Sequence, residues 1–161
     1  MLIFGVHNPN GANEIRLLGG TLPVAPSVQY MDYGVDGFTW GYGGAGPSQL
    51  AFALILHFCG AEEAFLYHNA FKKDVLMHTD SHKDLYLDSE DVQAYVAMKK
   101  AQQTKLGRLY WKFAAKNKFS QPFYFRFIMP LEFNEWEPAE PLTFDELYDR
   151  PFFLPPPSLD F

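Results

Sequence analysis

The stretch of the chain with the clearest potential for chemistry is a glycine-rich run at residues 40–48. It reads Trp-Gly-Tyr-Gly-Gly-Ala-Gly-Pro-Ser and contains the spacing G-x-G-x-x-G between a strand-like and a helix-like segment. Glycine-rich turns that lead into a helix can bind phosphate, because free backbone N–H groups and the helix dipole favour an anion there. The candidate residues for binding an anion or a nucleotide are Trp40, Gly41, Tyr42, Gly43, Gly44, Gly46 and Ser48.

Two established phosphate motifs fit this run only in part. The dinucleotide fingerprint requires a second strand after the helix, whereas Gly60 and another helical pattern follow here. The P-loop requires a lysine before the serine, and Pro47 stands at that position. Two interpretations remain: an anion site with Trp40 and Tyr42 as stacking surfaces, or a tight corner in which the glycines serve only the backbone.

A second candidate site is the basic segment 99–118, which contains seven basic residues and no acid. Helical spacing places four of the cations on one face, beside an apolar stripe of Leu106, Tyr110 and Phe113. Such a face could pair with the acidic end of this chain, within one chain or between self-associated subunits, or it could bind a protein partner or nucleic acid. The four candidate partner-binding cations are Lys105, Arg108, Lys112 and Lys116.

The histidines offer a weaker indication of a site. His78 and His82 have the i, i+4 spacing of metal ligands, but the residues between them favour a solvated loop. His57 and His68 are predicted to be core or boundary histidines with hydrogen-bond partners. With no nucleophile motif and no suitable carboxylate pair in the chain, we predict no catalytic residue, no metal and no cofactor.

Composition sets broader limits on the class of protein. The chain has 161 residues and a net charge of −6, which argues against bulk attraction to nucleic acid or to an anionic membrane. The only cysteine, Cys59, rules out an internal disulfide and is predicted to be a buried, inert thiol. Without a signal peptide or an apolar run of about 18 residues, we expect a soluble cytoplasmic protein with no membrane partner.

The residue patterns predict an α+β fold in which a small antiparallel sheet of N-terminal strands packs on about three helices. Predicted strands lie at 14–18, 28–31 and 38–42, with a hairpin turn at Gly19-Gly20 and an additional short candidate at 85–87. Predicted helices lie at 49–59 (buried on all sides and ended by Gly60), at 61–77, and from Asp88 or Ser89 onward. This last helix continues or restarts through 99–118, with Gly107 as a candidate break.

The C-terminal part has a different composition. Residues 123–129 are aromatic and predict a strand, residues 143–146 form a capping-box pattern for a short helix, and residues 155–157 are three prolines that favour an extended tail. Eight acids and only one base follow residue 131. We predict a core domain at 1–97 and an extension at 98–161 that packs on it.

Residues 37–51, Gly-Phe-Thr-Trp-Gly-Tyr-Gly-Gly-Ala-Gly-Pro-Ser-Gln-Leu-Ala, resemble the signature of an uncharacterised domain family found in phages, other mobile elements, bacteria and archaea. The likeness extends through residues 67–75 and 85–92 and covers about residues 13–97. It implies a compact α+β domain of mobile-element origin, with no catalytic residues to carry over.

These observations lead to one functional expectation and two alternatives. The first is a non-enzymatic accessory protein of phage or mobile-element type that binds a host protein, to inhibit host defence or to take over host machinery. The first alternative is a protein that binds a nucleotide or other anion at the glycine-rich run. The second is a nucleic-acid-binding protein that uses the basic helix at 99–118.

Overall fold

A computed structural model of the chain describes residues 1–132. The helix predicted at 143–146 and the extended prolines at 155–157 lie outside the described residues. Within them the fold is α+β, as predicted: one antiparallel sheet packs against a layer of helices.

The sheet has four strands in the order β3-β2-β1-β4. Their bounds are Leu2–Val6 (β1), Glu14–Leu17 (β2), Gly20–Thr21 (β3) and Leu85–Asp88 (β4). The predicted hairpin between β2 and β3 is confirmed, as is the short strand predicted at 85–87. This last strand pairs with β1 in a register that sets Ile3 opposite Leu87, and both side chains face the core.

Two of the predicted N-terminal strands, 28–31 and 38–42, are wrong, and β1 was not predicted. Val28 is the last residue of the short helix Ala25–Val28 (α1), and residues 29–30 form a turn after it. Pro26 lies in the first turn of α1, where the missing N–H of proline costs nothing. Residues 38–42 bury Phe38 and Trp40 alternately but pair with no strand. The alternation of residue types at 38–42 therefore predicted correctly which side chains are buried. Strand formation also needs the edge of a neighbouring strand, and these residues have none within the described chain.

The main helices are Ala45–Cys59 (α2), Ala61–Asp74 (α3), Ser89–Ala101 (α4) and Lys105–Lys118 (α5), with a 3₁₀ turn at Leu76–His78. Every residue from Leu50 to Ile55 is buried, so α2 is the predicted central helix. Gly60 ends α2 with a φ of 111°, a conformation that glycine adopts without a steric penalty. Asp88 caps α4 by accepting a hydrogen bond from the Glu90 N–H at 2.8 Å.

The break in the basic segment lies at residues 102–104 and not at Gly107. Thr104 caps α5, with its Oγ1 accepting from the Gly107 N–H at 3.0 Å. Gly107 sits inside α5, where a side chain would overlap the carbonyl group of Ala101. The glycine thus lets α5 cross close to the end of α4 and does not interrupt the helix.

The strand predicted at 123–129 is wrong, because this region is helical. Gln121–Phe123, a π-helical stretch Tyr124–Ile128 and Met129–Glu132 follow one another and form the terminal helical segment. Phe123 and Phe127, one helical turn apart, are both buried and lie 4.9 Å apart between ring centroids. Tertiary packing of aromatic side chains on one side overrides their preference for strands.

Candidate functional site

The glycine-rich run forms a packed corner between residue 38 and α2. The Trp40 side chain is 1% exposed, and its Nε1–H donates to the Lys83 carbonyl at 2.9 Å. A side chain at Gly5 of β1 would not fit, because its Cβ would lie 2.7 Å from the Leu85 Cβ and 3.0 Å from the Trp40 indole. Because Trp40 is enclosed by protein, it offers no surface on which a ligand could stack.

Gly41 fixes the path of the corner. Its φ is 86°, and a side chain there would collide with the backbone of Ser81. Its N–H donates to the Leu76 carbonyl at 2.9 Å, so this amide is occupied within the protein. Gly41 and Trp40 together hold the loop 79–84 against the core.

The remaining predicted residues are gathered in the same corner. Gly43 lies next to Met77, Gly44 next to the Tyr42 ring, and Gly46 next to the Thr39 hydroxyl group. Tyr42 is about half exposed, with its hydroxyl oxygen 2.8 Å from Thr39 Oγ1.

Ser48 is buried in the first turns of α2. Its Oγ donates to the Gly44 carbonyl and accepts from the Lys72 ammonium, each at 3.0 Å. A shallow cavity of about 380 Å³ borders Tyr42 and Gly46, and Asp36 is the only charged residue among the described residues that line it. A carboxylate beside a helix start disfavours an anion there; anion binding at this corner remains a prediction.

Sequence reasoning missed Gln49, which is fully buried and holds the corner from inside. Its Nε2 donates to Ser27 Oγ at 2.8 Å and to the Met31 carbonyl at 2.9 Å, while its Oε1 accepts from the Tyr33 N–H at 3.0 Å. A polar residue inside an otherwise apolar helix was the available signal, because buried amides need partners. Gln49 therefore ties the segment 27–33 to α2.

The loop that the corner supports forms one wall of a polar cleft of about 830 Å³. The other walls come from the end of β1, the start of β4 and the terminal helical segment. The residues that line the polar cleft are His7, Thr79, Asp80, His82, Lys83, Asp84, Leu85, Tyr86 and Arg126.

Both aspartates of the polar cleft are bound within the protein. Asp84 Oδ1 accepts from the His7 N–H at 2.8 Å. Asp80 Oδ1 accepts from the His82 N–H at 2.9 Å, and Asp80 pairs with Lys83 at 3.6 Å. The backbone hydrogen bond, followed by the charge of Lys83, lowers the pKa of Asp80.

The histidines and the cysteine differ in their surroundings. His68 is buried and satisfied, as predicted: Nδ1–H donates to the Ala64 carbonyl at 2.7 Å and Nε2 accepts from the Tyr33 hydroxyl at 2.6 Å. His57, expected in the core or at its boundary, is exposed. Cys59 is only half-buried, and desolvation together with Glu63 raises the pKa of its thiol to about 11, so it is a poor nucleophile at neutral pH.

The two histidines with metal-ligand spacing lie in different local structures. His78 ends the 3₁₀ turn, and His82 lies exposed in the loop 79–84, where sequence reasoning expected a solvated loop. Within residues 1–132 no three His, Cys, Asp or Glu side chains are grouped so that they could hold a metal ion.

The predicted cationic face of α5 is present for three of its four members. Lys105, Lys112 and Lys116 are exposed along one side of the helix. Arg108 turns toward the protein, where its Nη1 donates to the Gln102 carbonyl at 2.9 Å.

The apolar stripe of α5 faces solvent, which sequence reasoning did not foresee. Leu106 and Phe113 are each 77% exposed, and Leu109 and Tyr110 are about half exposed. The core contact of α5 is made by the opposite side, through Trp111 and Ala115. We name the residues Leu106, Leu109, Tyr110 and Phe113 the exposed apolar face; with Ala114 they border a surface depression of about 440 Å³.

The fold and these surfaces define a small α+β domain with a tightly packed glycine corner, followed by helices that extend from it. Residues 4–98 match the model of the family of unknown function DUF6166, and the chain belongs to this family. Comparisons with curated proteins and with solved structures gave no match. The match ends within α4, and the division into 1–97 and 98–161 remains a prediction. None of the helices described in residues 1–132 is long and apolar enough to span a membrane.

Proposed function

We propose that this protein is a non-enzymatic accessory protein of a phage or other mobile element and that it binds a host protein through the exposed apolar face of α5. The observation that carries this proposal is the 77% exposure of both Leu106 and Phe113 on a well-packed helix. The mobile-element origin is supported by the resemblance at residues 37–51. Action in the host cytoplasm, against host defence or host machinery, is part of the same proposal.

The exposed apolar face has the geometry of a docking helix. Its residues fall at positions i, i+3, i+4 and i+7, the pattern with which amphipathic helices enter apolar grooves. Fully burying a large apolar side chain contributes about 1.5–3 kcal/mol. Burial of Leu106 and Phe113 in a partner would therefore supply much of the binding free energy.

The charges beside this face indicate what kind of partner fits. Lys105, Lys112 and Lys116 flank the apolar stripe, and no acid lies between residues 99 and 118. The complementary surface is an apolar groove with aspartates or glutamates at its rim. A second copy of α5 would set lysines against lysines, and a phosphate backbone would leave Leu106 and Phe113 in water.

The test begins with a photo-crosslinking amino acid at position 113 of the full chain and, as a matched control, at position 18 in the β2–β3 turn. Leu18 is 88% exposed, so the two positions differ in location and not in access. Host protein crosslinked only from position 113 is identified and purified. Its affinity is then measured for the unaltered protein, Phe113→Ser and Leu18→Ser.

We expect Phe113→Ser to weaken binding by about tenfold or more, as for an apolar anchor at an interface centre, and Leu18→Ser to leave it unchanged. Equal affinities for the two variants would contradict the proposal. Crosslinks from position 113 to residues 133–161 would show that the acidic end of this chain occupies the face, and crosslinked dimers would show a second copy. Binding of nucleic acid that weakens steeply with salt would favour the second alternative function.

A further inference from the structure

We propose that the polar cleft binds a small molecule through an oxyanion group, a phosphate or a carboxylate. This inference is independent of the proposed role of α5, because none of the residues that line the cleft belongs to α5.

The polar cleft has the size and construction of a ligand site. Its volume of about 830 Å³ falls within the range of about 300–1,000 Å³ that is typical of small-molecule sites. Among the described residues, three separate segments of the chain form its walls, at residues 7, 79–86 and 126. The hydrogen bond from Trp40 to Lys83 ties the second of them to the glycine corner. Residues 37–51 therefore support a wall of a cavity that they do not line.

Hydrogen bonding inside the cleft leaves donors in excess. Asp80 and Asp84 already accept from the backbone N–H groups of His82 and His7, and Asp80 is also paired with Lys83. Asp80 thus has a cationic partner, and each carboxylate uses an oxygen to accept from a backbone N–H group of the wall. Among the described residues that line the cleft, the Arg126 guanidinium and the imidazoles of His7 and His82 remain for a ligand, and they suit an acceptor of negative charge.

Arg126 is the group best placed to bind such a ligand. Its guanidinium lies 5.1 Å from the centre of the Phe127 ring, which orients its plane. Among residues 1–132, its one hydrogen bond joins Nη2 to the His78 carbonyl at 3.4 Å. The side chain is exposed. A guanidinium has five N–H donors, and two of them can bind both oxygens of a carboxylate or phosphate.

His7 contributes a ring nitrogen that lacks a hydrogen-bond partner among the described residues. Its ring meets the His82 ring edge to face, with centroids 6.2 Å apart. Its Nδ1 is buried and has no hydrogen-bond partner among residues 1–132. Since an unpaired buried polar atom is costly, rotation of the ring toward an oxyanion oxygen would relieve that cost on binding.

Tyr86 provides a surface for the rest of the ligand. Its ring is 61% exposed at the rim of the cleft and is supported by Phe4, 5.0 Å away between centroids. A flat ring attached to the oxyanion group could stack on it.

The experiment titrates the full-length ¹⁵N-labelled protein with three probes: inorganic phosphate, adenosine monophosphate and benzoate. We expect amide shifts concentrated at residues 7 and 79–86. Arg126→Gln should weaken binding by about tenfold or more, as expected for loss of a charge-assisted hydrogen-bond pair. Lys105→Gln removes the same charge from a residue that does not line the cleft and should change binding less than about twofold.

The probes distinguish the sources of the oxyanion. Tighter binding of adenosine monophosphate than of inorganic phosphate identifies an organic phosphate, equal binding identifies the free ion, and binding of benzoate alone identifies a carboxylate. If Arg126→Gln lowers the thermal unfolding midpoint, the same affinities are measured with His82→Gln as the second cleft variant, and its loss of affinity relative to Lys105→Gln tests the proposal. The proposal is overturned by the absence of shifts at about 10 mM of every probe, or by equal loss of affinity in the cleft variants and in Lys105→Gln.

Discussion

The glycine-rich run at 40–48 and the start of α2, together the glycine corner, bury most of their large side chains, whereas α5 exposes several of its own. In the corner, Trp40 and Gln49 are buried and their polar atoms bind partners within the protein. On α5, Leu106 and Phe113 project into solvent although the opposite side of the same helix packs on the core. The corner lies inside the family match at 4–98, and α5 lies beyond it.

This difference shows that a distinctive sequence pattern can reflect tight packing, whereas an exposed apolar surface can have a less distinctive sequence. The corner combines glycines with large side chains, and several close approaches are satisfied there at once, between Gly41 and Ser81, Trp40 and Gly5, and Gln49 and Met31. A docking surface needs only apolar side chains at helical spacing with suitable charges around them. The residues of the corner therefore serve the packing of the fold, and α5 offers the accessible apolar surface.

The largest expected effect tests the corner. Gly41→Val places a β-branched side chain at a φ of 86° and into the backbone of Ser81. We expect the free energy of unfolding to fall by about 3 kcal/mol or more, measured by urea unfolding. Gly37→Ala is the matched control, because open space surrounds Gly37. Similar losses in both variants would show that the close approach at residue 41 is unimportant.

The second prediction compares two aromatic residues of α5. Trp111 is 6% exposed, so Trp111→Ala should lower the free energy of unfolding by about 3 kcal/mol through the cavity that it leaves. Phe113→Ala, on the exposed apolar face, should change it by no more than about 0.5 kcal/mol. Thermal or chemical unfolding of both variants measures this contrast. A large loss for Phe113→Ala would mean that this residue is already buried by some part of the protein.

A third prediction concerns the hydrogen bonds of Gln49 inside the corner. Gln49→Leu keeps an apolar volume in α2 but leaves Ser27 Oγ, the Met31 carbonyl and the Tyr33 N–H without this partner. We expect a loss of about 2 kcal/mol in the free energy of unfolding. Gln93→Leu on the exposed side of α4 should cost less than about 0.5 kcal/mol. Equal stability of the two variants would show that the hydrogen bonds of Gln49 do not stabilise the corner.

The smallest expected effect is a pH dependence at the junction between α4 and the terminal helical segment. Burial raises the pKa of Asp91, while hydrogen bonds from the Ser120 hydroxyl at 2.6 Å and N–H at 2.8 Å oppose this shift. A carboxyl group whose pKa is higher in the folded state binds more protons when folded, so its contribution to stability falls as pH rises from about 3.9 through the raised value. Asp91→Asn should flatten this part of the curve of unfolding free energy against pH. An unchanged slope would contradict the assignment.

Much of the helical layer could be predicted from local signals. Gly60 ends α2, Asp88 caps α4, and the apolar run in α2 is buried, because caps, breaks and uniform apolarity act over a few residues. The predicted strands at 28–31 and 38–42 and the strand at 123–129 were wrong for the same physical reason. Strand formation depends on a partner edge that is distant in sequence, whereas aromatic side chains can be buried equally well from a helix or an extended loop.

The candidate sites also contain features that the sequence predicted and features that only the folded chain shows. The sequence placed Trp40, the glycines and Ser48 in one turn, but burial of Trp40 and the use of Ser48 within the protein became visible only in the folded chain. The polar cleft escaped prediction, since His7, His82 and Arg126 come together from segments more than 40 residues apart.

By itself, the sequence determined the α+β class, the central helix, the glycine corner and the cations of α5, because each depends on neighbouring residues or on helical spacing. The tertiary structure alone decided which side of α5 is buried and which residues line the polar cleft. Leu106 and Trp111 are both apolar, and hydrophobicity does not tell them apart. Only the packing of α5 against the rest of the molecule covers Trp111 and leaves Leu106 in water.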